Sequence, residues 1–211
     1  MSRICIRTII FAICLAAPIA TVHTQNNTQP PFAARYYPVD KWKTFTSDYW
    51  KFSALMPTKP KEESSVQGSV KNHTFDTFMI QHTFQIDCYE SNRESSSLEF
   101  AVTNVRNSFL KRGTAKLIRD EKINLGSYEG REMAIAITRS VNDGPTDEMV
   151  KSVVQARVFA VGRRVYLVIA KSLNQEAETK EARAFLDSFK LLDSAEVEKP
   201  AQSNSKKTVK D

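Results

Sequence analysis

The chain has 211 residues, of which 41% are hydrophobic and 26% charged, the balance of a folded globular protein and not of a disordered one. Its formal net charge of +6 is a solubility-level excess whose densest basic spots are the pairs Lys111-Arg112 and Arg163-Arg164. That excludes the clustered cationic face on which nucleic-acid binding depends.

Arg3 and Arg7 precede the apolar run from Ile9 to Ala17, and small and polar residues follow from Pro18 to Gln25. A positive segment, a short apolar run and a small-residue end make a secretory signal peptide over residues 1–24. The run is too short for a spanning helix, which needs roughly 20 apolar residues, and no later run approaches that length. Cleavage after Ala20 and cleavage after Thr24 are both open. Cys14 follows Ile13 where a lipoprotein cysteine would follow a small residue, so lipidation is disfavoured. The protein is therefore expected to be exported, periplasmic or extracellular, with no transmembrane segment after cleavage. Removal of Arg3 and Arg7 leaves a net charge of about +4. Cys5 and Cys14 leave with the signal, so Cys88 stands alone and no internal disulfide forms, although the compartment would permit one. Cys88 continues the alternation Phe84, Ile86, Cys88 and is expected in the core as a small apolar residue.

Residues 25–41 form a polar lead-in with Gln29-Pro30-Pro31 and no periodicity, read as flexible. Trp42, Phe45, Tyr49, Trp50 and Phe52 then cluster. Aromatics at this density either bury against a core or form an exposed contact surface; Trp42, Phe45, Tyr49 and Trp50 are the candidate partner surface. Trp50 to Leu55 reads as a first strand, stopped at Met56-Pro57 and at Pro60. From Val70 to Tyr89 the pattern has period two, with Phe78, Ile80, Phe84, Ile86 and Cys88 on one face. That length exceeds a usual strand, so a hairpin turning near Gln81-His82 is predicted.

Ser96 with Glu99 three residues on makes a capping box for a helix whose apolar stripe is Leu98, Val102, Val105 and Phe109, ended by Gly113. Phe100 lies off that stripe, either over the helix start or as an exposed contact. Strands are predicted at about 115–123, 131–138, 151–161 and 164–171. Asn142-Asp143-Gly144-Pro145 is a turn signal, and Gly162-Arg163 suits a two-residue hairpin link with glycine first. The last strand is apolar on both faces, and Met133 to Ile137 alternates bulky residues with alanine, so both belong inside a layered structure. A second helix over about 175–189 buries Ala182, Phe185, Leu186 and Phe189, with Glu176 and Lys180 paired outside. From Asp193 the composition reads as a disordered tail over 193–211. The order of strands, helix, strands, helix points to a single α+β domain over 42–192, with helices packed on the faces of a central antiparallel sheet.

That order, together with Phe52–Pro57 and Pro60, Tyr128-Glu129-Gly130-Arg131-Glu132, Gly162-Arg163-Arg164-Val165-Tyr166 and Phe185-Leu186-Asp187-Ser188-Phe189, resembles the PsbP/DcrB-like family of exported proteins. The resemblance covers about residues 42–192. It implies a central antiparallel sheet in an α/β/α sandwich. It also implies a bacterial source and an accessory or scaffolding role without catalysis, as in the extrinsic protein of the photosynthetic oxygen-evolving complex. No photosystem-specific feature is present, and fold transfers better than function.

Motifs for chemistry are sparse. His73 and His82 stand outside any zinc spacing, one remaining cysteine excludes a cysteine-based zinc site, and Asp143, Asp147 and Glu148 lack the periodicity of a calcium loop. There is no G-x-S-x-G nucleophile elbow and no phosphate-binding glycine loop. Asn26-Asn27-Thr28 and Asn72-His73-Thr74 match the glycosylation pattern, which is silent in bacteria. No catalytic residue, metal or cofactor is expected. Gly130 is read as turning the chain into a strand; Arg131 and Glu132 beside it can serve edge pairing, or Arg131 can hold a ligand carboxylate. Two functions follow. The leading one is a non-catalytic envelope module that binds a protein partner. The alternative is a small-molecule binder with a pocket between sheet and helix, touched by Arg131 and Tyr166.

Overall fold

The computed structural model describes residues 37–91, 97–111, 114–141, 148–173 and 178–192. The predicted signal, most of the lead-in, the turn at Asn142–Pro145, the Ser96 and Gly113 helix signals, Glu176 and the tail lie outside the described residues. Within the lead-in, Val39–Lys41 forms one 3-10 turn in which the Trp42 N–H reaches Val39 O at 3.1 Å. Tyr37 and Val39 pack against the core, so residues 37–41 are structured where a flexible segment was expected.

Ten strands are described. β1 (Lys43–Ser47), β2 (Phe52–Met56) and β10 (Lys190–Leu191) make a three-stranded antiparallel sheet in the order β1-β2-β10. β3 (Lys61–Gln67), β4 (Val70–Phe78), β5 (His82–Ser91), β6 (Thr114–Leu125), β7 (Tyr128–Val141), β8 (Glu148–Val161) and β9 (Arg164–Leu173) make the large sheet. Its order is β3-β4-β5-β9-β8-β7-β6, every pair antiparallel. The helices are α1 (Leu98–Leu110) and α2 (Lys180–Ser188).

The expected α+β sandwich is thereby corrected to a mostly β fold of two antiparallel sheets with two short helices. Three strands account for the difference. β3 reads Lys-Glu-Glu-Ser-Ser-Val-Gln and is exposed along its whole length, so as an edge strand it carries no hydrophobic alternation. β1 was hidden within the aromatic cluster, and β10 within the end of the chain's last apolar stretch. The second sheet, with Phe52, Ala54 and Met56 pointing inward, occupies space that a helical layer was expected to fill. The second helix begins at Lys180, where the Thr179 side chain accepts the Ala182 N–H at 3.1 Å.

Two apolar clusters flank the large sheet. On one side Phe52, Met56, Phe75, Phe84, Tyr166 and Phe185 close together, with ring centroids of Phe52 and Phe75 5.2 Å apart. On the other, Val102 and Val105 of α1 meet Met133, Val158 and Leu167. Burying each such side chain stabilises the fold by about 1.5–3 kcal/mol before chain entropy opposes it. β9 is the middle strand and is buried on both faces, as its sequence predicts.

The β4–β5 hairpin turns at Met79–Gln81, where Met79 and His82 exchange backbone hydrogen bonds at 2.8 and 3.4 Å. The shared face is corrected. Phe75 opposes Ile86 and Thr77 opposes Phe84, so Phe78 falls outward and Ile80 stands exposed in the turn. The three turn residues reset the alternation. Cys88 is buried, as expected, and its thiol pKa is pushed up by burial. α1 starts one residue later than predicted: Ser97 Oγ accepts the Phe100 N–H at 3.2 Å. Gly162 takes a φ of 57° in the two-residue link between β8 and β9.

Candidate functional site

Of the four aromatics read as a candidate partner surface, Trp42 and Trp50 are buried and Phe45 is half-buried. Trp42 is buried edge-on to Phe84 at 4.9 Å, its indole N–H donating to Tyr37 O at 2.8 Å. Trp50 is 3% exposed, and Phe45 is half-buried between Phe52 and Phe75 at 6.1 and 5.3 Å. Tyr49 is the exception at 55% exposure; it donates to Glu90 at 3.3 Å, and the Arg164 guanidinium lies 5.6 Å over its ring. These side chains wall the core because β1 and β2 lay their inward faces on β4 and β5.

The two candidate ligand contacts are likewise committed inside the fold. Tyr166 is fully buried and donates to Trp50 O at 2.8 Å, and burial pushes its phenol up to about 12 against the opposing pull of Arg164. Arg131 does hold a carboxylate, but that of Asp120 on the neighbouring strand, through Nε at 2.8 Å and Nη2 at 2.6 Å. Arg106 of α1 approaches the other oxygen of Asp120 at 3.6 Å. Gly130 lies within β7, not in a turn, paired with Ile123 and Phe159. Tyr166 and Arg131 face opposite sides of the sheet and share no site. The Asn72-His73-Thr74 pattern sits mid-strand in β4, with His73 3.3 Å from Glu62 and Thr74 donating to Asp87 at 2.7 Å.

Glu132, the third residue of the Gly-Arg-Glu phrase, anchors a network that sequence reasoning missed. It is 4% exposed and receives Arg157 Nε at 2.6 Å, Arg119 Nη2 at 2.5 Å and Arg183 Nη1 at 3.1 Å. Arg157 continues to Leu186 O at 2.7 Å and Asp187 at 2.5 Å, while Arg119 and Arg183 both reach Glu178. Burial raises the Glu132 pKa, but the hydrogen bond and charge of Arg157, with Arg183 and Arg119, outweigh it and hold the carboxyl below its ordinary range. Among the described residues every arginine of the cluster is matched by a carboxylate, and the network ties α2 to β6, β7 and β8. Its sequence signal was charge at inward positions of strands that otherwise read as buried.

Two concave features are present among the described residues: an open one of about 400 Å³ between Pro38–Asp40 and Lys180 and Ala184 of α2, and a more apolar one between α1 and the sheet. A cleft of about 90 Å³ opens between Phe100, Asn104 and Ser108 on α1 and Val70, Tyr89 and Val165 on the strands. The buried Ala101 and Val105 also line it, as do Ser91 and Arg163, joined by Arg163 Nε donating to Ser91 O at 2.8 Å. Phe100 in the lining is 56% exposed. The Tyr89 phenol is pushed up by burial, with Asp87 and Cys88 adding to it, so it stays a protonated donor. The Ser108 hydroxyl donates to Val105 O at 2.7 Å. Phe100, Asn104 and Ser108 recur every four residues, a second helical stripe beside the buried one; that spacing is the sequence signal for this site. The cleft can take an apolar group and orient it with a few polar edges.

No family model matches the chain, and no curated protein matches it. Among solved structures, a crystal structure from Bacteroides thetaiotaomicron VPI-5482 is similar, with a TM-score of 0.41 and 10% sequence identity. The match covers 71% of this chain and 48% of that one. The chain thus spans about half the length of that protein, and a likeness at this level carries no argument about function.

Proposed function

We propose that the chain is an exported, non-catalytic binding module of the cell envelope that seats an apolar side chain of a protein partner in the α1 cleft. The cleft itself carries this reading. Its volume of about 90 Å³ is the scale of one buried side chain, well below the roughly 300–1,000 Å³ typical of small-molecule sites. A small apolar pocket lined in part by an exposed aromatic is also how protein interfaces hold their anchor residues. The signal-like residues from Arg3 to Ala17 support export. The phrases resembling the PsbP/DcrB-like family support an accessory role.

The alternative, a small apolar molecule between sheet and helix, is favoured by the cleft's position and by its Asn104, Ser108 and Tyr89 edges, but its volume opposes it. Site-specific photo-cross-linking from position 100 in the native envelope fraction tests the choice, with position 78 as an exposed aromatic control. One discrete adduct from position 100, abolished when Ala101→Trp fills the cleft, is expected. Equal labelling from both positions, or labelling indifferent to Ala101→Trp, would sink the proposal. A thermal shift by a small apolar compound, lost in Ala101→Trp and without any adduct, would move the reading to the alternative.

A further inference from the structure

Thr179 Oγ1 caps α2 by accepting the Ala182 N–H at 3.1 Å. The same oxygen lies 3.4 Å from Ser172 Oγ on β9, and Ser172 Oγ lies 3.1 Å from Nδ1 of His82 on β5. His82 and Ser172 are buried, and the imidazole stacks on Phe84 at 5.8 Å. Three side chains from three separate parts of the chain therefore form one hydrogen-bonded line that ends on a helix cap.

The line can run in either direction, because each hydroxyl gives one proton and accepts two. In one of them Thr179 Oγ1, accepting from the helix, gives its own proton to Ser172. Ser172, accepting that proton, gives its own to the imidazole, whose Nδ1 must then be the bare acceptor. In that direction a neutral His82 satisfies both hydroxyls. An imidazolium carries a proton on both ring nitrogens, so Nδ1 becomes a donor aimed at a donor. Ser172 must then turn its hydroxyl round, and the Thr179 proton loses its acceptor.

We propose that the line runs from Thr179 through Ser172 to a bare Nδ1 and so makes His82 a pH-sensitive latch on α2: protonation of the imidazole in mild acid reverses the line and loosens the first turn of the helix. Burial already holds the imidazole below its ordinary pKa, and Glu181 in that first turn of α2, itself buried, pulls in the opposite direction. Among the described residues, Ser172 from β9, Phe84 from its own strand and the Met79 backbone from the β4–β5 turn also contact His82, and all three are uncharged. A loosened first turn would also slacken Arg183 on Glu132, since Arg183 lies three residues past Lys180, where the helix begins. The latch is independent of the cleft between α1 and the sheet.

Amide hydrogen exchange at pH 7.5 and pH 5, corrected for intrinsic rates, tests it on the whole chain and on His82→Gln. The glutamine amide oxygen accepts from Ser172 at either pH. In the parent, protection of the amides from Ala182 to Phe185 should fall by up to about thirtyfold at pH 5, the factor by which protonation at an ordinary histidine pKa of about 6.5 favours the opened form. In His82→Gln it should stay level. Equal loss in both proteins, or none in the parent, overturns the latch. Should the variant not fold, an NMR titration of the parent's His82 ring decides: an inflection that tracks the rise in α2 exchange supports the latch, and one displaced from it refutes it.

Discussion

The Phe159 ring lies over Gly130 so closely that a methyl group at Gly130 would stand 2.4 Å from Cδ1, 2.5 Å from Cε1 and 2.8 Å from Val158 O. The two residues face each other across β7 and β8, and Phe159 in turn stacks on Phe189 at 6.0 Å with the rings 6° apart. Gly130 is thus a space requirement, and its absent side chain lets a core ring reach the end of α2. Gly130→Ala should destabilise the fold by about 1–3 kcal/mol, the usual cost of overpacking, read as a lower urea midpoint. Phe159→Leu in that background should recover part of the loss, because the two sites share one clash and cannot add independently.

Glu132 makes a second prediction, with a defined pH window. Its folded pKa is depressed, so its contribution is fully present above the unfolded carboxyl value of about 4.3 and is lost as pH falls through the folded value. Glu132→Gln should cost about 3–5 kcal/mol at neutral pH, the range for removing one partner of a buried pair. The lower end is expected, because Arg157, Arg119 and Arg183 keep Asp187 and Glu178 as partners. Urea titrations from pH 3 to pH 7 should show the gap between parent and variant closing in acid. A gap that is constant with pH would mean that Glu132 packs without contributing charge.

Asp87 runs in the opposite direction. Burial raises its pKa, Asp76 adds to that, and hydrogen bonds from Gln85 and Thr74 offset only part. A raised folded pKa gives stability that is present below the unfolded value and disappears as pH rises through the folded one. Ionised Asp87 is therefore a cost at neutral pH, and Asp87→Asn should melt higher than the parent at pH 7. The two curves should converge near pH 3.5, below the ordinary aspartate value of about 3.9. Thermal melts at both values check it, and an unchanged melting temperature at pH 7 would contradict it.

The fold was legible wherever burial on both faces wrote a continuous apolar run or a clean stripe. β9, the α1 stripe through Val102 and Val105, and the buried face of α2 were read directly because each element's environment is uniform along its length. β3 was invisible because an edge strand needs hydrogen bonds from one neighbour and no core face, so Lys61 to Gln67 looks like loop. The cost of missing it, with β1 and β10, was the fold class itself. The site was harder. Trp42 and Trp50 belong to a residue type equally at home in cores and interfaces, and spacing alone does not tell which. Glu132 reads from sequence as an edge-pairing charge, because a charge inside a strand looks solvated until its three arginines, from 13, 25 and 51 residues away, are brought to it.

Moving the contact surface from the aromatic cluster to α1 yields the sharpest pair of variants. Trp50 is buried against Tyr49 at 5.2 Å and lies under the Arg164 guanidinium at 5.5 Å, and its backbone carbonyl takes the Tyr166 hydroxyl. Trp50→Ala should therefore cost about 3–5 kcal/mol, as large-to-small core changes do, and any loss of binding would follow from lost folding. Phe100 sits on an exposed helix face and touches little of the core, so Phe100→Ser should leave stability within about 0.5 kcal/mol of the parent. If α1 carries the interface, Phe100→Ser abolishes the adduct formed from a photo-cross-linker placed instead at position 104 in the cleft lining, at unchanged melting temperature, and Tyr49→Ser, at the exposed edge of the aromatic cluster, does not. The reverse pattern would return the contact surface to Tyr49 and leave the α1 cleft without a role.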